Sequence, residues 1–233
     1  MIRKMRKKAS ANMAIVVLLV SLGVVGSVFL SISAMKEEKQ RELALQEKDV
    51  LITKNTVELT NASLMASFSL GLSQAVFESG QPDGSWKSAP SKQELDSELR
   101  KRLEPFLKPK NAFTVNDVYV SLQDIKLDEL ILEENKITAK ISGRIKADGK
   151  NVKADVKTSW DILVNAPLEK ERQIAECFAS SKSQSCVPAG FSVTQASGVA
   201  TVTHAYGNDE ERHYYYDGEK FVEKEFSFSF KSG

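Results

Sequence analysis

Histidine and cysteine are almost absent from this chain, with two of each in 233 residues. That scarcity excludes most metal and acid–base chemistry at the outset. Neither His204 nor His213 stands at a ligand spacing from Cys177 and Cys186, so no zinc site is assembled from them. A Ser-His-Asp relay drawn through either histidine has no spacing to support it. The serine-rich stretch Ser180-Ser181-Lys182-Ser183-Gln184-Ser185 has no strand–turn–helix elbow around it and reads as a polar loop. No glycine-rich phosphate cradle is present, and no pair of carboxylates sits in an apolar context that would split two pKa values. We therefore assign no catalytic residue, no cofactor site and no metal ligand, and expect no enzymatic role. Charge of one sign is also lacking: 32 Lys and Arg face 31 Asp and Glu. No basic footprint for nucleic acid follows from that balance. No repeat of fixed period and no low-complexity block is visible.

The most informative absence is local. From Ala9 to Met35 there is no charged side chain over 27 residues, directly after Arg3, Lys4, Arg6, Lys7 and Lys8. As a helix such a run covers roughly 40 Å, more than the ~30 Å hydrocarbon core of a bilayer. A cleaved secretory signal has an apolar region of only ~7–15 residues, and the only weak candidate cleavage site here is Ser31-Ile32-Ser33. The leading flank is purely basic, whereas Lys36 to Glu42 is mixed, so the positive-inside rule puts the N-terminus in the cytoplasm. The expected order is a basic leader over 1–12, a transmembrane helix over 13–35, a helical stalk over 36–80, a linker and capped helix over 81–110, and an extracytoplasmic sheet domain over 111–233. The lipid bilayer is the first partner this implies, at the cell membrane in a single pass. Gly23, Ser27 and Ser31 recur every four residues along the membrane helix, and such a small-residue stripe lets helices approach closely, which suggests self-association there. What the head binds is not legible.

Lys7-Lys8-Ala9-Ser10 before an apolar helix resembles the leader of archaeal type IV pilin-like proteins, which carry class III signal peptides. The resemblance covers the first thirty-five residues and the plan of a long helix followed by a β-rich head. It implies a cut between Ala9 and Ser10 on the cytoplasmic side, with the apolar helix retained to build a filament core. The fifth residue after that cut is Ala14, where many members carry Glu. The expected role is structural or interactive, presenting a domain at the surface or assembling with copies of itself; a processed filament subunit is the alternative, and an anchored enzyme or solute-binding module the second alternative.

Both cysteines fall on the side expected to be oxidising, and a Cys177–Cys186 bridge would close a short loop. Asn61-Ala62-Ser63 is an N-glycosylation sequon, though it lies in an expected helix rather than a loop. Lys36 to Ser79 has no proline and no glycine before Gly71. Leu43, Val50, Val57 and Leu64 give half of a coiled-coil seam, but the matching positions hold Glu47, Lys54 and Asn61. From Leu64 the apolar face broadens through Met65, Phe68, Leu72, Ala75, Val76 and Phe77, wide enough to bury against a domain. Turn residues at 80–85 end the helix; Trp86 just beyond is expected to pack in the core, with anchoring of that turn on the head as the alternative. Ser91 and Glu94 then form a capping box ahead of Leu95, Leu99 and Leu103.

Two period-two runs, Ile137 to Ala147 and Val152 to Val164, surround Asp148-Gly149 and predict an antiparallel hairpin with one buried face. Val118, Val120 and Leu122 suggest a preceding strand. A short helix with Ile174 and Phe178 should lie across the sheet, with Cys177 fixing it to the loop at Cys186. Val199 to Tyr206 reads as a strand. Tyr214 to Tyr216 and the stretch from Phe221 through Phe226, Phe228 and Phe230 read as a second hairpin. Its alternating phenylalanines make a core face rather than a binding platform, leaving at least one tyrosine on the other side. The fold class expected is α+β: a long N-terminal helix, then one antiparallel sheet with short helices.

Overall fold

The structure, a computed structural model, describes residues 2–80, 86–109, 111–204, 214–216, 221–223 and 227–231; side chains before Ser27, and at 28, 29, 214–216 and 221–223, lie outside that description. The fold is α+β with a long N-terminal helix and antiparallel sheets. Helix α1 runs over Ile2–Gly80. The chain divides into two units, Met1–Ile52 and Thr53–Gly233. The first unit is helix throughout its described length. The second begins inside the segment expected as stalk, because the apolar face of α1 is already committed there: Leu64, Phe68, Leu72, Ala75 and Val76 are buried.

That face covers a four-stranded meander of β1 (Ala112–Val115), β2 (Val118–Leu132), β3 (Ile137–Asp148) and β4 (Lys153–Val164), each antiparallel to the next. The predicted β3–β4 hairpin is present, with Ile137 opposite Val164 and Asp148 opposite Lys153, and Gly149 N–H donates to Val152 O at 2.8 Å to close it. Inward residues from β3 and β4 form the floor of the core: Ile137, Ala139, Ile141, Ile145, Trp160 and Ile162. Gly143 interrupts the apolar row for a steric reason, since a Cβ there would collide with Ile125 Cδ1 and crowd the Trp160 ring.

Strand β2 is far longer than Val118 to Leu122 implied. Its register shifts between Gln123 and Lys126 and again between Leu127 and Glu129, with Asp124 at φ 55°. Each bulge moves the inward phase by one residue, so the apolar positions run 118, 120, 122, then 125 and 127, then 130 and 132. No single alternation survives to be read. Strand β1 was not expected at all; it is joined to β2 through Asn116 and Asp117, both at positive φ (50° and 63°), a two-residue hairpin turn.

Helix α2 (Lys92–Leu103) has the predicted capping box: Glu94 N–H donates to Ser91 Oγ at 3.2 Å, and Ser91 N–H donates to Glu94 Oε2 at 2.7 Å. The backbone hydrogen bond from Ser91, followed by that from its hydroxyl, holds Glu94 below the usual glutamate range. The helix buries Leu95, Leu99 and Leu103, and the 3-10 turn after it (Glu104–Leu107) sets Phe106 against Gly71, where a Cβ would meet Phe106 Cγ at 2.6 Å.

The expectation of one sheet is corrected: among the described residues there are three. Helix α3 (Leu168–Ser181) packs on β6 and β9 of a three-stranded sheet ordered β5 (Phe191–Ala196), β6 (Val199–His204), β9 (Ser227–Lys231), rather than across the four-stranded one. The predicted strand from Phe221 to Phe230 is two strands. Strand β8 (Phe221–Glu223) pairs with β7 (Tyr214–Tyr216), while β9 leaves to pair with β6, Phe228 opposite Val202 and Phe230 opposite Ala200. Alternation gives a strand's face but not its partner, and here the partners are in different sheets. Trp86 is half-buried rather than a core residue and is tied to the three-stranded sheet, the alternative role. Its N–H donates to Ser229 O at 3.1 Å, its carbonyl accepts from Lys231 N–H at 2.7 Å, its indole donates to Ser79 O at 2.9 Å, and its ring stacks on Phe228 at 6.4 Å.

Candidate functional site

Three regions of the head combine chemistry with position. The first is the seam between α1 and the four-stranded sheet. Asn61 Oδ1 accepts from Trp160 Nε1 at 2.9 Å and from Thr158 Oγ1 at 3.1 Å, while Phe68 meets the same indole edge to face with centroids 5.1 Å apart. The sequon asparagine is thus half-buried on a helix and tied to two strand residues. Sequence reading offered it as a glycan acceptor; the fold gives it a packing role, because an indole N–H turned inward needs an acceptor.

The second is the opposite side of the same helix. Leu59, Ala62, Ser63, Ala66, Ser67 and Leu70 are exposed on one face, Leu59 by 58% and Leu70 by 48%, in a stretch with no charged residue between Glu58 and Glu78. Beside it lies a cavity of about 210 Å³ lined by Leu59, Thr60, Ser63, Leu64, Pro109, Phe113, Val115 and Leu122. Ligand pockets run to about 300–1,000 Å³ with convergent polar groups. Here Thr60 Oγ1 is turned away into a hydrogen bond with Thr56 O at 2.8 Å. The cavity suits an apolar side chain better than a polar solute.

The outer face of the four-stranded sheet is chemically different. Lys140 bridges Glu129 at 2.6 Å, Lys153 meets Asp148 at 3.4 Å and Arg144 meets Asp155 at 3.5 Å. Charges of both signs alternate across the strands, so this face carries no single-sign field.

The third region is α3. Arg172, 7% exposed, donates from Nε and Nη2 to both oxygens of the buried Glu169 at 2.9 Å each, and from Nη1 to Glu176 Oε2 at 2.8 Å and Pro90 O at 3.2 Å. The helix ends at Ser181, capped by Lys182 in the left-handed region (φ 51°); the predicted Cys177–Cys186 disulfide joins its last turns to the loop that follows, with Ser181 Oγ 3.1 Å from Cys186 Sγ. On the opposite face Glu171 is fully buried and neither carboxylate oxygen has a hydrogen-bond partner among the described residues. Burial alone pushes its carboxyl well above the glutamate range. Sequence reading missed Glu171 and Glu169, since an acidic residue in a helix is ordinarily solvated and only the packed fold buries these two.

The remaining predicted residues stay apart. Ser31 Oγ donates to Ser27 O at 2.9 Å within the helix and both residues are exposed; the Gly23 side of the stripe, and Ala9 and Ser10 at the expected cut, lie outside the described side chains. Leu43 and Val50 of the half seam are exposed, Val57 is half-buried and Leu64 is buried. His204 sits against Phe191 with ring centroids 4.6 Å apart, and His213 lies outside the described residues. Among the described residues no cluster of His, Cys, Asp and Glu is placed to hold a metal ion, and no helix is long and apolar enough to cross a membrane. Most of the uncharged run that the transmembrane expectation rests on precedes Ser27, outside the described side chains. No family model, no curated protein and no solved structure matches this chain.

Proposed function

We propose that this is a single-pass membrane protein, N-terminus in the cytoplasm and head outside, that works through contact with other proteins or with copies of itself rather than by catalysis. The observation that carries the reading is the 27-residue uncharged run behind five basic residues, continuous in one helix with the strut of the head core. A disulfide in the head suits an oxidising compartment. The uncharged outward face from Leu59 to Leu70, beside an apolar cavity, suits a protein contact better than solvent alone.

A second reading is favoured by Lys7-Lys8-Ala9-Ser10: a pilin-like subunit, cut between Ala9 and Ser10, whose helix leaves the bilayer to form a filament core. One experiment tests both. The protein is taken from its native membrane after an alkaline carbonate wash, and its intact mass and N-terminus are determined. A chain that resists the wash and keeps Arg3 to Lys8 is a permanent anchor. A chain beginning at Ser10 establishes the filament reading. A chain released by the wash with its N-terminus intact sinks both.

A further inference from the structure

Among the described residues of the head, Glu171 is a fully buried ionisable group that neither the fold nor the proposed function uses. It lies on α3 with Leu168 at i−3, Ile174 at i+3, Ala175 at i+4 and Phe178 at i+7, so every helical neighbour on its face is apolar, and all four are buried. The charged groups of its own helix are engaged elsewhere: Glu169 and Glu176 with Arg172, and Lys170 with Glu134 at 3.3 Å. Among the described residues, the elements packed most closely on α3 are β6, β9 and the 3-10 turn Gln184–Cys186, and the end of α1 reaches Leu168 at Gly80. Their titratable groups among the described residues are His204, half-buried at the end of β6, and Lys231, exposed at the end of β9; neither hydrogen-bonds to Glu171. Glu78, at the end of α1, pairs with Arg102 at 2.9 Å.

We propose that Glu171 is a pH-operated release for α3: the helix stays seated on β6 and β9 while the carboxyl is protonated, and loosens when the proton leaves. An ionised carboxylate in this apolar setting has no compensating donor among the described residues, so it must either stay neutral or reach water. Reaching water requires α3 to lift, because the side chain points at the sheet-facing stripe. The Cys177–Cys186 bridge ties the far end of the helix to the 3-10 turn that follows it.

The direction of the effect follows from linkage. The carboxyl binds its proton more tightly in the seated state than in the open one, where it returns to the ordinary value near 4.5. Seating is therefore complete below about pH 4.5, weakens as pH rises toward the elevated value of the seated state, and is constant above it. Within that window one proton is lost per opening, so the opening equilibrium of α3 rises about ten-fold per pH unit.

The test is amide hydrogen exchange on the full chain with its disulfide intact, between pH 5 and 8, corrected for intrinsic exchange. In the wild type α3 opening should rise about ten-fold per unit over part of that range, with β3 and β4 amides unmoved. Glu171→Gln and Glu171→Met should each abolish the slope, whatever their absolute stability, and a His204→Gln background should keep it. A wild-type slope equal to that of both Glu171 variants overturns the proposal. So does a slope shared equally by α3 and the β3–β4 hairpin, since that is global unfolding, and so does its loss in His204→Gln.

Discussion

The head places a helix on a sheet twice, and the two seams differ in chemistry. Where α1 meets the four-stranded sheet, the polar groups named at the seam are neutral, and Asn61, Thr158 and Trp160 satisfy one another. Where α3 meets the three-stranded sheet, the helix carries a bidentate Arg172–Glu169 pair on one side and an orphaned carboxyl on the other. A neutral seam is insensitive to pH and salt. A charged one couples folding to protonation, and breaking half of a buried pair leaves the other half uncompensated. The same architecture thus yields a rigid half and a conditional half.

The largest loss should come from the neutral seam. Trp160→Ala removes the ring that Phe68 meets and the donor that Asn61 accepts from, and should lower unfolding free energy by about 3–5 kcal/mol in urea melts. A loss under about 1 kcal/mol would mean that the seam is not the centre of the core. Next is the ion pair. Arg172→Met strands Glu169 in a buried position and should cost about 3–5 kcal/mol, whereas Glu169→Leu combined with Arg172→Met should recover most of it. If the double variant is no better than the single one, the pair is not coupled.

Smaller effects sharpen the contrast. Reducing Cys177–Cys186 should take away a little under ~3 kcal/mol in the chain-entropy model, with exchange in the last turns of α3 rising first and the β3–β4 hairpin unmoved. Equal loosening of both halves would erase the distinction between them. Smallest is Ser91→Ala, which removes the side-chain half of the capping box on α2 and should cost about 1 kcal/mol by thermal melting, independent of pH between 6 and 8.

How far each half could be read from sequence follows the same division. The β3–β4 hairpin was legible to the residue because its alternation is unbroken and its turn carries Asp148-Gly149; the capping box at Ser91 was equally explicit. The rest of that sheet was not, since two bulges in β2 reset the phase and β1 is four residues long. The second half was legible only in part: the β7–β8 hairpin is present as expected, but β5 carried no signal, and β9 leaves that hairpin to pair with β6 while Trp86 joins from far upstream. Glu171 was invisible because a single acidic residue in a helix looks like any solvated one until its surroundings are known.

By itself the sequence determined what depends on neighbours along the chain. That covers the uncharged run and its basic flank, helix ends set by caps, hairpins closed by short turns, and a bridge between the only two cysteines. The tertiary structure alone decided what depends on closure over long separations. It made the last third of α1 the strut of a core, divided the strands among sheets, turned Asn61 inward to serve an indole, and buried Glu171 without a partner. The physical reason is common to all four. Local propensity and periodicity fix which face of an element is apolar, but only the packed chain fixes what that face meets.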